Sequence, residues 1–136
     1  MISKHGCGFN QIKMLNQKQK FGEKGESIAA RHLKKRGYKI LERNYRTKLG
    51  EIDIIAKDKD TIVFVEVKSR RSWQFGNPKA AVTPQKQRKI STVALYYLKI
   101  NNRSNAKARF DVVAVTATRD KPQIEIIQNA FELAYQ

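Results

Sequence analysis

The sequence predicts an α/β fold: a mixed central β-sheet flanked by helices. Three observations carry that expectation. Residues 50–57 and 61–69 are strand-length apolar runs around a short polar turn, and 109–116 and 123–128 add two more. Residues 22–37 and 84–100 instead repeat their apolar positions at helical spacing. Finally, 136 residues with 40% hydrophobic and 29% charged side chains suit one domain with its own core.

Residues 1–20 hold four lysines and no acid among Asn and Gln, so a flexible basic tail is expected there, with the domain over 21–136. Residues 22–37, GEKGESIAARHLKKRG, predict a helix starting near Glu23 and capped by Gly37. Ile28, Ala29 and Leu33 form its apolar stripe, with Ala30 beside them. At 100° per residue Glu26 falls between Ala29 and Ala30, on the core-facing side. A carboxylate there either has a partner across the core or is favourable charge in the first helical turn, worth roughly a few tenths of a kcal/mol. The pattern leaves both open. His32 borders the stripe and reads as a boundary residue rather than a ligand. Residues 38–46 predict a short strand.

Residues 50–70, GEIDIIAKDKDTIVFVEVKSR, are the most informative stretch. Alternation puts Glu51, Asp53 and Ile55 on one face of the first strand, and Ile62, Phe64, Glu66 and Lys68 on one face of the second. An even loop centred on Asp58-Lys59 sets Asp53 opposite Phe64 and diagonal to Glu66. A slip of one residue would separate them. The charges then gather at the open end of an apolar hairpin, where strand interiors rarely hold charge without compensation.

Residues 70–83 break the pattern with Gly76, Asn77 and Pro78 and predict a loop. Arg70, Arg71 and Lys79 are interleaved there with Trp73 and Phe75, which suits phosphate contact and base stacking. Phe75 is expected to pack on the domain, and Trp73 serves either purpose. Thr83 as N-cap and Pro84 at the first helical position then open a helix to about Ile100, with Ile90, Val93, Ala94, Tyr97 and Leu98 facing inward. Its first turns carry Lys86, Arg88 and Lys89. Cations there oppose the helix dipole, a small cost that makes sense if phosphate binds; otherwise they are a solvated face. Asp111, a single acid near the start of a strand, reads as structural. Residues 129–136, NAFELAYQ, predict a short closing helix through Phe131, Leu133 and Tyr135.

Charge bounds the partner. The 28 Lys and Arg outnumber 12 Asp and Glu, for a net charge of +16. Such an excess points to a polyanion, above all nucleic acid, against the alternative of a merely solvated basic surface. An anionic membrane surface fits less well, because the cations are spread over several elements. No apolar run approaches the ~20 residues of a membrane span, and the N-terminus lacks the apolar stretch of a signal peptide. One cysteine, Cys7, suits a reducing cytoplasm, and with His5 it makes no metal site.

Asp53, followed by Glu66-x-Lys68, is a layout suited to metal-dependent phosphodiester hydrolysis. Carboxylates hold Mg²⁺ (or Mn²⁺), which prefers oxygen ligands, and the lysine on the same face orients water or offsets developing charge. A bare D…ExK pattern is weak by itself. Its place in an apolar hairpin of a basic chain, with Glu26 as a possible fourth member, strengthens it.

The segments GEKGESIAARHLKKRGYKILERNYR, GEIDIIA, VFVEVKSR, FGNP and RFDVVAV, in this order and spacing, resemble the YraN-type (UPF) bacterial proteins. The resemblance covers about residues 21–135. It implies a restriction-endonuclease-like fold of the PD-(D/E)xK kind, similar to archaeal Holliday-junction resolvases. On that resemblance Glu26 matches the first-helix acid. Asp53 matches the acid of the PD motif, with Ile52 in place of the proline, and Glu66 and Lys68 match the ExK pair. Glu26, Asp53 and Glu66 would then be the metal ligands. Lys86 also falls on a family position, implying phosphate contact, whereas Glu51 is a family feature without a role. A homodimer follows from the same likeness.

Three readings result: a Mg²⁺-dependent endonuclease on DNA, including branched or structured DNA; a catalytically silent nucleic-acid-binding accessory module; and a buried ion network holding the sheet edge. The third is weakest, because buried ion pairs are often no more stable than apolar packing. Arg70, Arg71, Trp73, Lys86, Arg88 and Lys89 are the expected nucleic-acid contacts under the first two.

Overall fold

The computed structural model describes residues 17–71, 82–118 and 120–133, with side chains from residue 24 onward. Its elements are α1 (Gln17–Lys35), β1 (Lys39–Thr47), β2 (Gly50–Asp58), β3 (Thr61–Arg70), α2 (Pro84–Ile100), β4 (Lys107–Thr116) and β5 (Gln123–Phe131). The strands form one sheet in the order β1-β2-β3-β4-β5. Neighbours are antiparallel except β3 and β4, which run parallel because α2 carries the chain back along the sheet. This is the mixed α/β sheet with flanking helices that the sequence predicts.

Strand alternation feeds two apolar layers. On one face Ile55, Ile62, Phe64, Phe110 and Val112 meet Ile90, Val93, Ala94, Tyr97 and Leu98 of α2. On the other, Ile54, Ala56, Val63, Val65, Val113 and Val115 meet Ala29, Ala30 and Leu33 of α1. Ile52 belongs to the α2 layer together with Ile55, three residues on, so strict alternation fails between Ile52 and Asp53. That break lies at the charged end of the hairpin.

The helix ends follow from local chemistry. Gly37 adopts φ +95°, and the Tyr38 and Gly37 N–H groups donate to the carbonyls of Leu33 and Lys34, closing α1 in a Schellman motif. Thr83 caps α2, its Oγ1 accepting the Lys86 N–H at 3.2 Å, with Pro84 next. Gly50 opens β2 at φ +144°, and a side chain there would press on Val93 of α2.

Three expectations need correction. Helix α1 spans Gln17–Lys35 rather than starting near Glu23. Its polar first turns have good helix propensity but no apolar stripe to reveal them. The hairpin turns at Lys59-Asp60, with Lys59 at φ +57° and Asp58 paired to Thr61. The register therefore moves by two residues, which keeps the side chains of the paired stretch from Ile54 to Val65 on their expected faces. Lastly, no closing helix starts at Asn129: β5 continues to Phe131, which stacks on Phe110 at 4.8 Å across a β-bulge. The tail to residue 16 and the loop residues Trp73, Phe75 and Lys79 lie outside the described residues.

Candidate active site

The site forms where the β2–β3 ladder gives way. Regular pairing runs from Asp58↔Thr61 to Ile54↔Val65. One step further, Asp53 comes level with Glu66. There the Asp53 carboxylate, rather than a backbone carbonyl, accepts the Val67 N–H at 2.8 Å. Asp53 and Glu66 are thus immediate neighbours, closer than the diagonal relation expected from the sequence.

Glu66 is 5% exposed, and its carboxylate receives two lysines. Lys86 Nζ, from the first turn of α2, lies 2.5 Å from Oε2, and Lys68 Nζ, two residues along β3, lies at 3.5 Å. Burial of its carboxyl, the charge of Glu66 and a hydrogen bond with Glu66 push the Asp53 pKa up to about 8, and the more distant charge of Glu26 adds to this. The Val67 N–H pulls the other way without winning. Burial beside a second carboxylate thus favours the protonated form of Asp53 at neutral pH. Burial pulls the Lys86 pKa down, but the hydrogen bond and charge of Glu66, with Asp53 and Glu51 behind it, hold it above lysine's ordinary value.

A cavity of about 380 Å³ opens over this cluster, lined by Glu51, Asp53 and Glu66 of the hairpin and by Thr83, Lys86 and Lys89 at the start of α2. One wall is acidic and the other is a cationic helix N-terminus. Glu51 sits at the exposed rim, paired with Arg46 at 3.4 Å. Glu26, in the middle of α1 rather than its first turn, acts on Asp53 from the other helix. Among the described residues no three His, Cys, Asp or Glu side chains gather as one ligand group. Of the expected trio, Asp53 and Glu66 adjoin, and Glu26, from α1, acts on Asp53 through its charge. Two carboxylates suffice for Mg²⁺, which is commonly held by one or two of them plus waters and substrate phosphates.

The remaining predicted residues are more dispersed. Lys89 lines the cavity, whereas Arg88 and Arg71 are exposed outside its lining. Arg70, expected to meet nucleic acid, is only 7% exposed at the end of β3 and does not offer an open phosphate contact. Asp111 is structural, as expected: it accepts from Arg109 Nε at 3.0 Å and from the Asn129 N–H at 3.0 Å, while Arg109 also pairs with Asp58. Sequence reasoning missed the Val67 N–H and the Lys86–Glu66 pair. Only the second left a trace: the Thr83-Pro84 cap fixes Lys86 in the first turn of α2.

A model described as uncharacterised protein family UPF0102 matches residues 25–115, a span that contains Glu26, Asp53, Glu66, Lys68 and Lys86. The chain belongs to this family. A UPF0102 protein of Desulfosudis oleivorans is 56% identical over 119 residues, covering 88% of this chain and 95% of that protein. One from Syntrophus aciditrophicus is 54% identical over 121 residues, covering 89% and 95%. Among solved structures, Pyrococcus furiosus SfsA in complex with Ca²⁺ is similar at a TM-score of 0.39 and 13% identity. That match takes in 82% of this chain and spans 62% of the SfsA chain. No helix among the described residues is long and apolar enough to cross a membrane.

Proposed function

We propose that this UPF0102 protein is a metal-dependent endonuclease of the restriction-endonuclease-like kind, hydrolysing phosphodiester bonds in DNA. The observation that carries the proposal is the Asp53–Glu66 pair: two adjoining carboxylates at the end of an apolar sheet, compensated by one proton and two lysines. A core built for stability alone gains little from such a group. A hard divalent cation would replace the proton, with Asp53 and Glu66 as its ligands, and would supply Lewis-acid polarisation of the phosphate. The chain's own residues do the rest. Lys68, beside Glu66, orients a water toward phosphorus and offsets charge as the P–O bond to the leaving oxygen breaks. Lys89 and the N-terminal turn of α2 face incoming phosphate.

The competing reading is a silent nucleic-acid-binding module. The observation in its favour is the Lys86–Glu66 contact, which already balances the buried charge. A panel of linear, flap and four-way DNAs with Mg²⁺ or Mn²⁺ separates the two. The nuclease reading expects cleavage of at least one substrate, lost in Glu66→Ala and reduced roughly 100-fold or more in Lys68→Ala, with circular dichroism unchanged. Binding without cleavage across the whole panel supports the silent module.

A further inference from the structure

We propose that Lys86 is a built-in stand-in cation: it occupies the Glu66 oxygen that a divalent metal needs and must be displaced for metal to enter. This rests on the metal-dependent reading above. Two features of the geometry support it. Lys86 Nζ is the nearer of the two lysines to Glu66, at 2.5 Å against 3.5 Å for Lys68, and both meet the same oxygen, Oε2. Second, the two lysines differ in freedom. Lys68 is held along β3 beside Glu66, whereas Lys86 projects from α2 across the cavity, with 45% of its side chain exposed. It can retract into the cavity without disturbing either apolar layer. A divalent ion offers Asp53 and Glu66 two charges and several coordination sites, where an ammonium offers one charge and three directional donors.

The chemistry is an exchange of cations on one carboxylate. While metal is scarce, Lys86 compensates the buried Glu66, which would otherwise carry an uncompensated charge at large cost. A metal held by Asp53 and Glu66 would take the Glu66 oxygen that the Lys86 ammonium now meets. Lys86 is thereby a positioning residue that sets the metal concentration at which the site fills.

The test measures Mn²⁺ binding to the full chain by electron paramagnetic resonance, comparing wild type, Lys86→Gln, Lys89→Gln and Glu66→Gln. Lys86→Gln is expected to bind Mn²⁺ roughly tenfold more tightly than wild type, since a hydrogen bond to a charged group no longer competes. Lys89→Gln removes the same charge from the same cavity without touching Glu66 and is expected to change affinity far less. Glu66→Gln is expected to lose binding. Amine acetylation of the unmodified protein supplies a second readout that needs no variant: Lys86 should react faster with Mn²⁺ present, relative to Lys89. Equal gains in Lys86→Gln and Lys89→Gln, or no change in Lys86 reactivity while Mn²⁺ binds, would overturn the proposal and leave the metal reading intact. No Mn²⁺ binding in any form, wild type included, would overturn both.

Discussion

Asp53 is the residue on which the chemistry turns, and its ionisation has a consequence for stability. In the folded protein its pKa lies near 8, against an ordinary value of 3.8. Between about pH 4 and pH 8 the folded state therefore holds a proton that the unfolded chain has released. Stability falls as pH rises through that window and levels off above it, by a few kcal/mol at most. Asp53→Asn, which keeps the shape and removes the titration, should flatten this slope and raise the melting temperature at pH 8. Thermal melts from about pH 5 to pH 9 check it; an unchanged slope in the variant would mean that Asp53 is ionised in the folded protein. The presence of Asp53 and Glu66 on one face was legible in the sequence, because a charge inside an Ile- and Val-rich strand stands out. Their direct adjacency was not. Asp58, Lys59 and Asp60 are all good turn residues, and the choice among them depends on Asp58 being drawn to Arg109 from β4. Lys86 was legible as a cation in the first turn of α2, but its partner Glu66 was not, since that is set by how α2 lies over the sheet.

At the scale of elements, the site depends on both helices meeting the open end of the β2–β3 hairpin. Helix α2 is fixed by its Thr83 cap and its apolar stripe, both visible in sequence. Helix α1 is fixed against β3 more tightly. A side chain at Gly25 would collide with Ser69 Oγ; turning the hydroxyl away relieves that collision but leaves Ser69 Cβ at 3.2 Å, a tight contact in which α1 or β3 must give. Alanine favours a helix over glycine by about 1 kcal/mol, but overpacking costs about 1–3 kcal/mol, so Gly25→Ala should be net destabilising. Placed on a Ser69→Gly background, where the obstacle is gone, the same change should stabilise. Denaturant unfolding of the four proteins in this cycle measures the sign reversal; a stabilising Gly25→Ala in the wild-type background would show that α1 is not held there. Because Glu26 follows Gly25 directly, this contact also sets how near Glu26 comes to Asp53. The last strand shows how local pattern misleads. NAFELAYQ has helical spacing, yet Phe131 gains more by stacking on Phe110, and a bulge absorbs the misfit in register.

For the whole molecule, the net charge of +16 sets the expected partner. Asp58, Asp60, Asp111, Glu51 and Glu66 all pair with lysines or arginines of the same chain, and the 28 Lys and Arg still leave a large positive excess. Binding to DNA should accordingly weaken steeply with salt, log K falling by about 0.9 for each phosphate contact per decade of salt. Fluorescence anisotropy at graded NaCl reads this directly, and a flat response would count against a nucleic-acid partner. Overall class and the helix–strand order up to β5 were legible from periodicity, since they depend on local pattern. Where the carboxylates meet the lysines was not, since it depends on the parallel β3–β4 crossover that brings α2 back over the hairpin. The most direct measurement is cleavage of linear, flap and four-way DNAs by wild type and Glu66→Ala, side by side, with and without Mg²⁺. Metal-dependent cleavage by the wild type, absent in a folded Glu66→Ala, is the predicted result. Cleavage that survives in Glu66→Ala, or a wild type that binds every substrate and cuts none, would contradict it.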